Sequence, residues 1–362
     1  MKRNITLLGI VSFLNDLSSE IIHPLLPFFL KSMNATALGI GIVGGLLDGF
    51  GNVVKLFSGY LSDVFRRRKP LVFLGYLLSQ ISKLGIGISS STGEVSGFVI
   101  LDRIGKGIRT SPRDAIIAES SKERGKAFGF HRAMDTAGAV VGTLIAILLY
   151  TSLKNFQTPI LVAAAIGFFA VIPIFFVRDT GEFAPKKVEV GVKLKKYLFV
   201  AFLSGLCHLS YMFFLIRASV ISVEVAFLLY LLFNVVYSLY SYPAGILADK
   251  FGKSKVVGFS YLVFSASLFL MTLKNPLFFV VAFILYGIFM SVSEAQQRAL
   301  ASDLSKSQGF GLGAYHLSFG TAIVVGNVIA GALAELFSLD AAFIFASILS
   351  LISAFVYLFA KF

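Results

Sequence analysis

"GYLSDVFRRRKPLV", residues 59–72, recurs as "GILADKFGKSKVVG", residues 245–258. Gly59, Leu61 and Asp63 return as Gly245, Leu247 and Asp249 at a constant offset of 186 residues, and basic residues follow each copy. Two more pairs keep nearly the same spacing, His131 with His316 and Arg113 with Arg298, each 185 residues apart. A repeat of so long a period points to a duplicated unit. The chain is therefore expected to consist of two halves of one design, with the G-x-L-x-D segment closing the second helix of each.

Composition says what those helices lie in. The chain has 362 residues, 57% hydrophobic and 14% charged, with a mean hydropathy of +0.85. Soluble domains carry about 25% charged residues, so the expected solvent is a lipid bilayer. The single cysteine, Cys207, excludes an internal disulfide and any cysteine-based metal or redox motif. The net charge of +13 does not form the stripe a nucleic-acid binder needs, because the basic residues gather in short loops. No nucleic-acid partner is expected.

Twelve apolar stretches of about 20 residues or more are each long enough to cross ~30 Å of hydrocarbon as helix. They lie near 5–31, 36–62, 70–90, 95–120, 124–152, 156–177, 196–218, 223–249, 254–273, 276–302, 308–337 and 339–361. The one longer polar connection, "RDTGEFAPKKVEVGVKLKK", falls mid-chain and divides a first bundle, 1–180, from a second, 196–362, with a linker at 181–195. Asp16 and Glu20 interrupt the first apolar run and no small-residue cleavage site follows, so the first span is expected to be retained. With the N-terminus inside, 20 of the 32 lysines and arginines fall in cytoplasmic segments and 4 in outer loops. That asymmetry puts both termini in the cytoplasm.

The loop motif identifies a resemblance. G-x-L-x-D followed by paired basic residues between helices 2 and 3 is similar to the signature of the major facilitator superfamily, matched by Gly59, Asp63, Arg67 and Arg68. Arg66 stands where a glycine is usual, whereas the second copy keeps it as Gly252. Arg103 followed by Gly107 resembles the family's helix-4 arginine motif, with Lys106 where a glutamine is common. "DRIGKGIRTSPRDA" resembles a prokaryotic branch of the superfamily. Gly138-x-x-x-Gly142 resembles the helix-5 antiporter motif, although Thr143 replaces its usual proline. The resemblance covers the whole chain. It implies an all-α membrane protein of twelve helices in two pseudo-symmetric six-helix bundles, working as a monomer. Helices 1, 4, 7 and 10 would line a cavity, with 2, 5, 8 and 11 flanking it as gates. Gly59, Asp63, Arg67, Arg68, Gly245 and Asp249 would form gating latches.

Eight basic residues fall inside spans, and a charge at the bilayer centre costs at least ~2.5 kcal/mol. Helical spacing collects the charges into faces. Asp16, Glu20 and His23 share one on span 1, and Asp48 and Lys55 one on span 2. Asp102, Lys106, Arg109 and Arg113 share one on span 4, His131 and Asp135 one on span 5, and His316 and Asn327 one on span 11. Span 10 carries Glu294 and Arg298 one turn apart, beside Gln296 and Gln297. Stripes of this kind are expected to face a polar cavity or each other, either as a salt-bridge network holding the first half together or as a coupling device. A carboxylate beside Arg103 or Lys106 can be protonated or paired, but not both.

These residues point to a secondary transporter that moves a small solute by alternating access in the cell membrane, with proton-coupled export of a small organic molecule or drug as the favoured form. The alternative is a divalent-cation transporter using Asp16, Glu20, His23 and His316. No GxSxG, HExxH or nucleotide-binding motif occurs, so neither an enzyme nor an ATP-driven pump is expected, and no cofactor.

Overall fold

The computed structural model describes residues 3–55, 67–121, 124–179, 192–305 and 308–359. Each expected apolar stretch is mainly helical where it is described. Among the described residues, ten helical segments are long and apolar enough to cross a membrane. The helices at 92–119 and 253–270 are not among those ten, the first because of its charge.

The chain forms two compact units, Met1–Ala35 with Val53–Pro185, and Thr36–Asn52 with Lys186–Phe362. The expected linker, 181–195, lies outside the described residues except for its last four positions, which already belong to a helix starting at Val192.

In the first unit, α1 (Arg3–Ser32) packs on α5 (Arg124–Leu153) and α6 (Gln157–Phe169), while α3 (Arg68–Ile88) packs on α4 (Thr92–Glu119) and α6. Ile5, Leu8 and Val11 of α1, Val72 and Tyr76 of α3, and Ile116 and Ile117 of α4 form one buried apolar cluster. The charge-rich α4 is set at its start by Ser91, whose hydroxyl accepts from the Glu94 N–H at 3.3 Å. Glu94 returns the favour by accepting from the Ser90 N–H at 2.8 Å, which satisfies two donors at the helix entrance. α1 runs unbroken through Pro24 and Pro27, both buried. Those prolines lack the N–H groups that would otherwise bond the carbonyls of Glu20 and His23.

The second unit contains α2 (Ala37–Gly45), continued by a π-helical turn at Leu46–Phe50 that holds Asp48. α2 packs on α12 (Gln308–Leu336), which also packs on α7 (Val192–Leu206). The remaining helices are α8 (Tyr211–Ala218), α9 (Val223–Phe251), α10 (Lys253–Leu270), α11 (Pro276–Asp303) and α13 (Leu339–Phe359). The seventh stretch is thus two helices, broken at Cys207–Ser210. α9 ends on the motif glycine: Gly252 has φ +93°, a conformation that disfavours any side chain and lets the chain turn directly into α10.

Candidate functional site

The first unit gathers its polar groups between α1, α3, α4 and α5. On α1, Asp16 is half-buried and accepts from the Asn15 amide at 3.0 Å. Glu20 and His23, one turn apart, bond each other at 3.1 Å. On α5, the imidazole Nδ1 of buried His131 lies 3.4 Å from Asp135, and the Ser12 hydroxyl donates to the other oxygen of the same carboxylate. The Nε2 of His131 is buried and has no hydrogen-bond partner among the described residues. Asp16 lies within electrostatic reach of Asp135, Lys106 and Glu20, so three acidic groups and a lysine share one region.

The cationic face of α4 is largely neutralised locally. Arg103 is held by its neighbour Asp102, with Nε at 2.8 Å and a second guanidinium nitrogen on the same oxygen. Arg109 donates to the Ser79 hydroxyl and to the Gly75 carbonyl at 3.4 Å, and its guanidinium lies 4.2 Å from the centre of the Tyr76 ring. Arg113 bonds Asp114 at 2.8 Å. These contacts hold the arginines within α4 and to α3. Lys106 is the exposed member of the stripe.

Asp48 sits in the π-helical turn of the second unit, within electrostatic reach of the Tyr286 hydroxyl. Asn327 is buried, and its side chain bridges the break between α7 and α8: Oδ1 accepts from the Ser210 N–H at 2.8 Å, while Nδ2 donates to the His208 and Ile323 carbonyls, each at 2.9 Å. Gln297 is fully buried among tyrosines. Its carbonyl accepts from Tyr197 at 2.6 Å, its amide donates to Tyr261 at 2.8 Å, and Tyr315 and Tyr357 donate to its Oε1 at 3.3 and 3.4 Å. Gln296 is buried, Arg298 is half-buried, and His316 packs against Tyr315 with ring centres 5.3 Å apart. The Glu294 side chain lies outside the described residues, as do Gly59 and Asp63 of the first latch.

What is described of the latches is duplicated. Arg68, the first residue of α3, pairs with Glu119, the last of α4. Lys253, the first residue of α10, pairs with Asp303, the last of α11, at 2.5 Å. Arg67 is exposed at the mouth of α3, and Asp249 is exposed near the end of α9. The first N–H groups of α3, from Arg68 and Lys69, both donate to Asp179 at 3.0 and 3.1 Å. Asp179 is thus a remote cap for this helix, a role with no local sequence signal because 111 residues separate it from Arg68.

A second group escaped the sequence reading. Lys83 of α3 is buried, and Gln80, one turn before it, is fully buried. Both bond Asn15 of α1. The signal was present as a charge inside an apolar span, but the residue's partners lie on another helix.

The divalent-metal alternative finds no support. No group of three or more His, Cys, Asp or Glu side chains that could hold a metal ion occurs among the described residues. His23 is turned onto Glu20 and Asp16 onto Asn15, so the face that spacing makes common to all three does not converge on a point.

The sequence matches the family model described as Major Facilitator Superfamily over residues 8–223 and 197–361. It is 38% identical to an uncharacterised MFS-type transporter of Methanocaldococcus jannaschii, over 99% of this chain and 95% of that one. A more distant likeness, 28% identity, links it to the multidrug resistance protein MdtH of Photorhabdus laumondii, over 34% of this chain and 32% of that one. Among solved structures the nucleoside transporter NupG superposes with a TM-score of 0.80 at 12% identity, covering 98% of both chains. A POT family transporter in complex with 5-aminolevulinic acid superposes with a TM-score of 0.77 at 12% identity, covering 98% of this chain and 95% of that one. At such identities these two likenesses speak for the fold alone. With a family match across both halves and a relative aligned end to end, the chain belongs to the major facilitator superfamily of membrane transporters.

Proposed function

We propose that this protein is a secondary transporter that exports a small organic molecule in exchange for protons. It works as a monomer by alternating access in the cytoplasmic membrane, with both termini on the cytoplasmic side. The observation that carries the reading is the buried His131–Asp135 pair, completed by Ser12 and lying within electrostatic reach of Asp16. A proton on His131 makes an ion pair with Asp135. Its loss leaves a carboxylate facing a second carboxylate across α1 and α5, so one proton changes the force between two helices. The MdtH likeness favours export and an organic substrate, over the third of the chain that it covers.

The test is proton movement in everted membrane vesicles energised by respiration and followed with a pH-sensitive fluorophore. Ethidium, rhodamine and norfloxacin are the probes. Wild type should release protons on addition of at least one probe, and Asp135→Asn should abolish that release while Glu94→Gln, at the solvent-exposed start of α4, keeps it. Silence with every probe, or an Asp135→Asn response equal to wild type, defeats the reading.

A further inference from the structure

Lys83 sits where a charged group is costly, with 3% of its surface exposed, on a helix long and apolar enough to span a membrane. No carboxylate pairs with it among the described residues. Its Nζ instead lies 3.1 Å from the Ser18 hydroxyl, 3.2 Å from the Asn15 carbonyl and 3.4 Å from Asn15 Oδ1. Three neutral oxygens thus meet three ammonium donors.

The orientation of each acceptor is fixed from outside. Ser18 donates its proton to the Ala163 carbonyl of α6 at 2.7 Å, leaving its lone pairs for Lys83. The Asn15 amide donates to Asp16 on one side, so its oxygen must face the other. Gln80 donates to that same oxygen at 3.1 Å, and its own Oε1 is buried with no hydrogen-bond partner among the described residues. Gly167 of α6 closes the group: a Cβ there would collide with Gln80 Oε1 and lie 2.7 Å from Ser18 Oγ. The result is a buried cluster of oxygen dipoles where α1, α3 and α6 meet. The charged groups within electrostatic reach of Lys83 are Asp16 from α1 and Asp102, Arg103 and Arg109 from α4.

A cage of neutral oxygens pointed inward is the chemistry of a monovalent-cation site. We propose that Asn15 and Ser18 form such a site, with Gln80 holding the Asn15 amide in place, and that the Lys83 ammonium is its resident cation. It places an ammonium group beside Asp16 through the Asn15 amide, the place an exchangeable sodium, potassium or ammonium ion would otherwise take. This stands on the geometry of the first unit and holds whether or not protons drive transport.

The experiment is thermal melting of the purified full-length protein, followed by helical circular dichroism. Choline, sodium, potassium and ammonium chloride are compared at one ionic strength. Wild type should melt at the same temperature in all four salts. Lys83→Ala, which empties the seat, should fall by about 3 °C or more in choline and recover at least half of that loss in ammonium or potassium chloride. Lys83→Met, which fills the seat with an uncharged chain, should fall and stay down in every salt. Because the charge balances Asp16, Lys83→Met combined with Asp16→Asn should melt above Lys83→Met alone. If a single variant yields no folded protein, the yield of monodisperse double variant is compared with it in the same way. Lys83→Met melting with wild type, Lys83→Ala indifferent to the cation, or a double variant no better than the single would each overturn the assignment.

Discussion

Asn327 commits its amide to the backbone of a helix break. Its oxygen takes the Ser210 N–H and its nitrogen serves the His208 carbonyl, groups that an unbroken helix would satisfy by itself. Non-helical backbone at membrane depth is tolerated only where its polar groups find such partners. Asn327→Ala orphans both, and each unsatisfied group costs about 1–3 kcal/mol. The expected loss is roughly 2–6 kcal/mol, read as a lower melting temperature. Asn327→Asp keeps the acceptor for Ser210 and gives up the donor to His208, so its melting point should fall between the two. An Asn327→Ala variant that melts with wild type would show that the break is satisfied some other way. Spacing placed Asn327 on a face with His316 and so suggested a substrate contact. Only its partners, more than a hundred residues away in the chain, reveal the commitment to backbone.

At the scale of elements, α1 and α5 approach through glycine. A Cβ on Gly138 would stand 2.5 Å from the Phe13 carbonyl, and one on Gly142 2.5 Å from the Leu17 carbonyl. Both meet backbone, which cannot rotate away as a side chain could. The two glycines are one turn apart, so they form a flat strip on α5 along which α1 lies. Thr143, where the related antiporter motif has proline, keeps α5 helical and bonds back to the Ala139 carbonyl at 3.0 Å. Gly138→Ala should force the helices apart and lower stability by about 1–3 kcal/mol, the usual cost of overpacking. It should also weaken the Ser12–Asp135 contact that spans the same two helices. Thermal melting checks the first effect. Probe-driven proton release checks the second, and release that is unchanged in a destabilised Gly138→Ala variant would separate the packing strip from the coupling pair.

At the scale of the whole molecule, duplication extends beyond the motif that revealed it. Arg68–Glu119 and Lys253–Asp303 join the start of the third helix to the end of the fourth in each half. The copies are not equal. The Arg68 and Glu119 side chains are 10% and 33% exposed, against 28% and 54% for Lys253 and Asp303. Exposed pairs contribute little because water and salt screen them, whereas a partly buried pair is screened less. Glu119→Gln should therefore lower stability by about 1–2 kcal/mol and Asp303→Asn by less than about 1 kcal/mol. Melting both variants in low and high salt tests the difference. Equal losses, or a loss for Asp303→Asn that salt does not reduce, would contradict the unequal burial.

By itself the sequence determined the apolar, all-helical character of the chain, the repeated motif and the family. These are properties of composition, of local periodicity and of two short motifs, and each is readable within a window of a few turns. Which charges answer which was decided only by the tertiary structure. Periodicity puts Asp102, Lys106, Arg109 and Arg113 on one face, but it does not say that Arg103 is satisfied by its own neighbour or Arg109 by Ser79 and Tyr76 of α3. It likewise leaves open that α3 is capped from Asp179 and that the Lys83 ammonium is seated on Asn15 and Ser18 of α1. In a medium with no water to bond, every polar group must find a partner within the protein. That partner is selected by which helices pack together, and helix packing is a contact between distant parts of the chain.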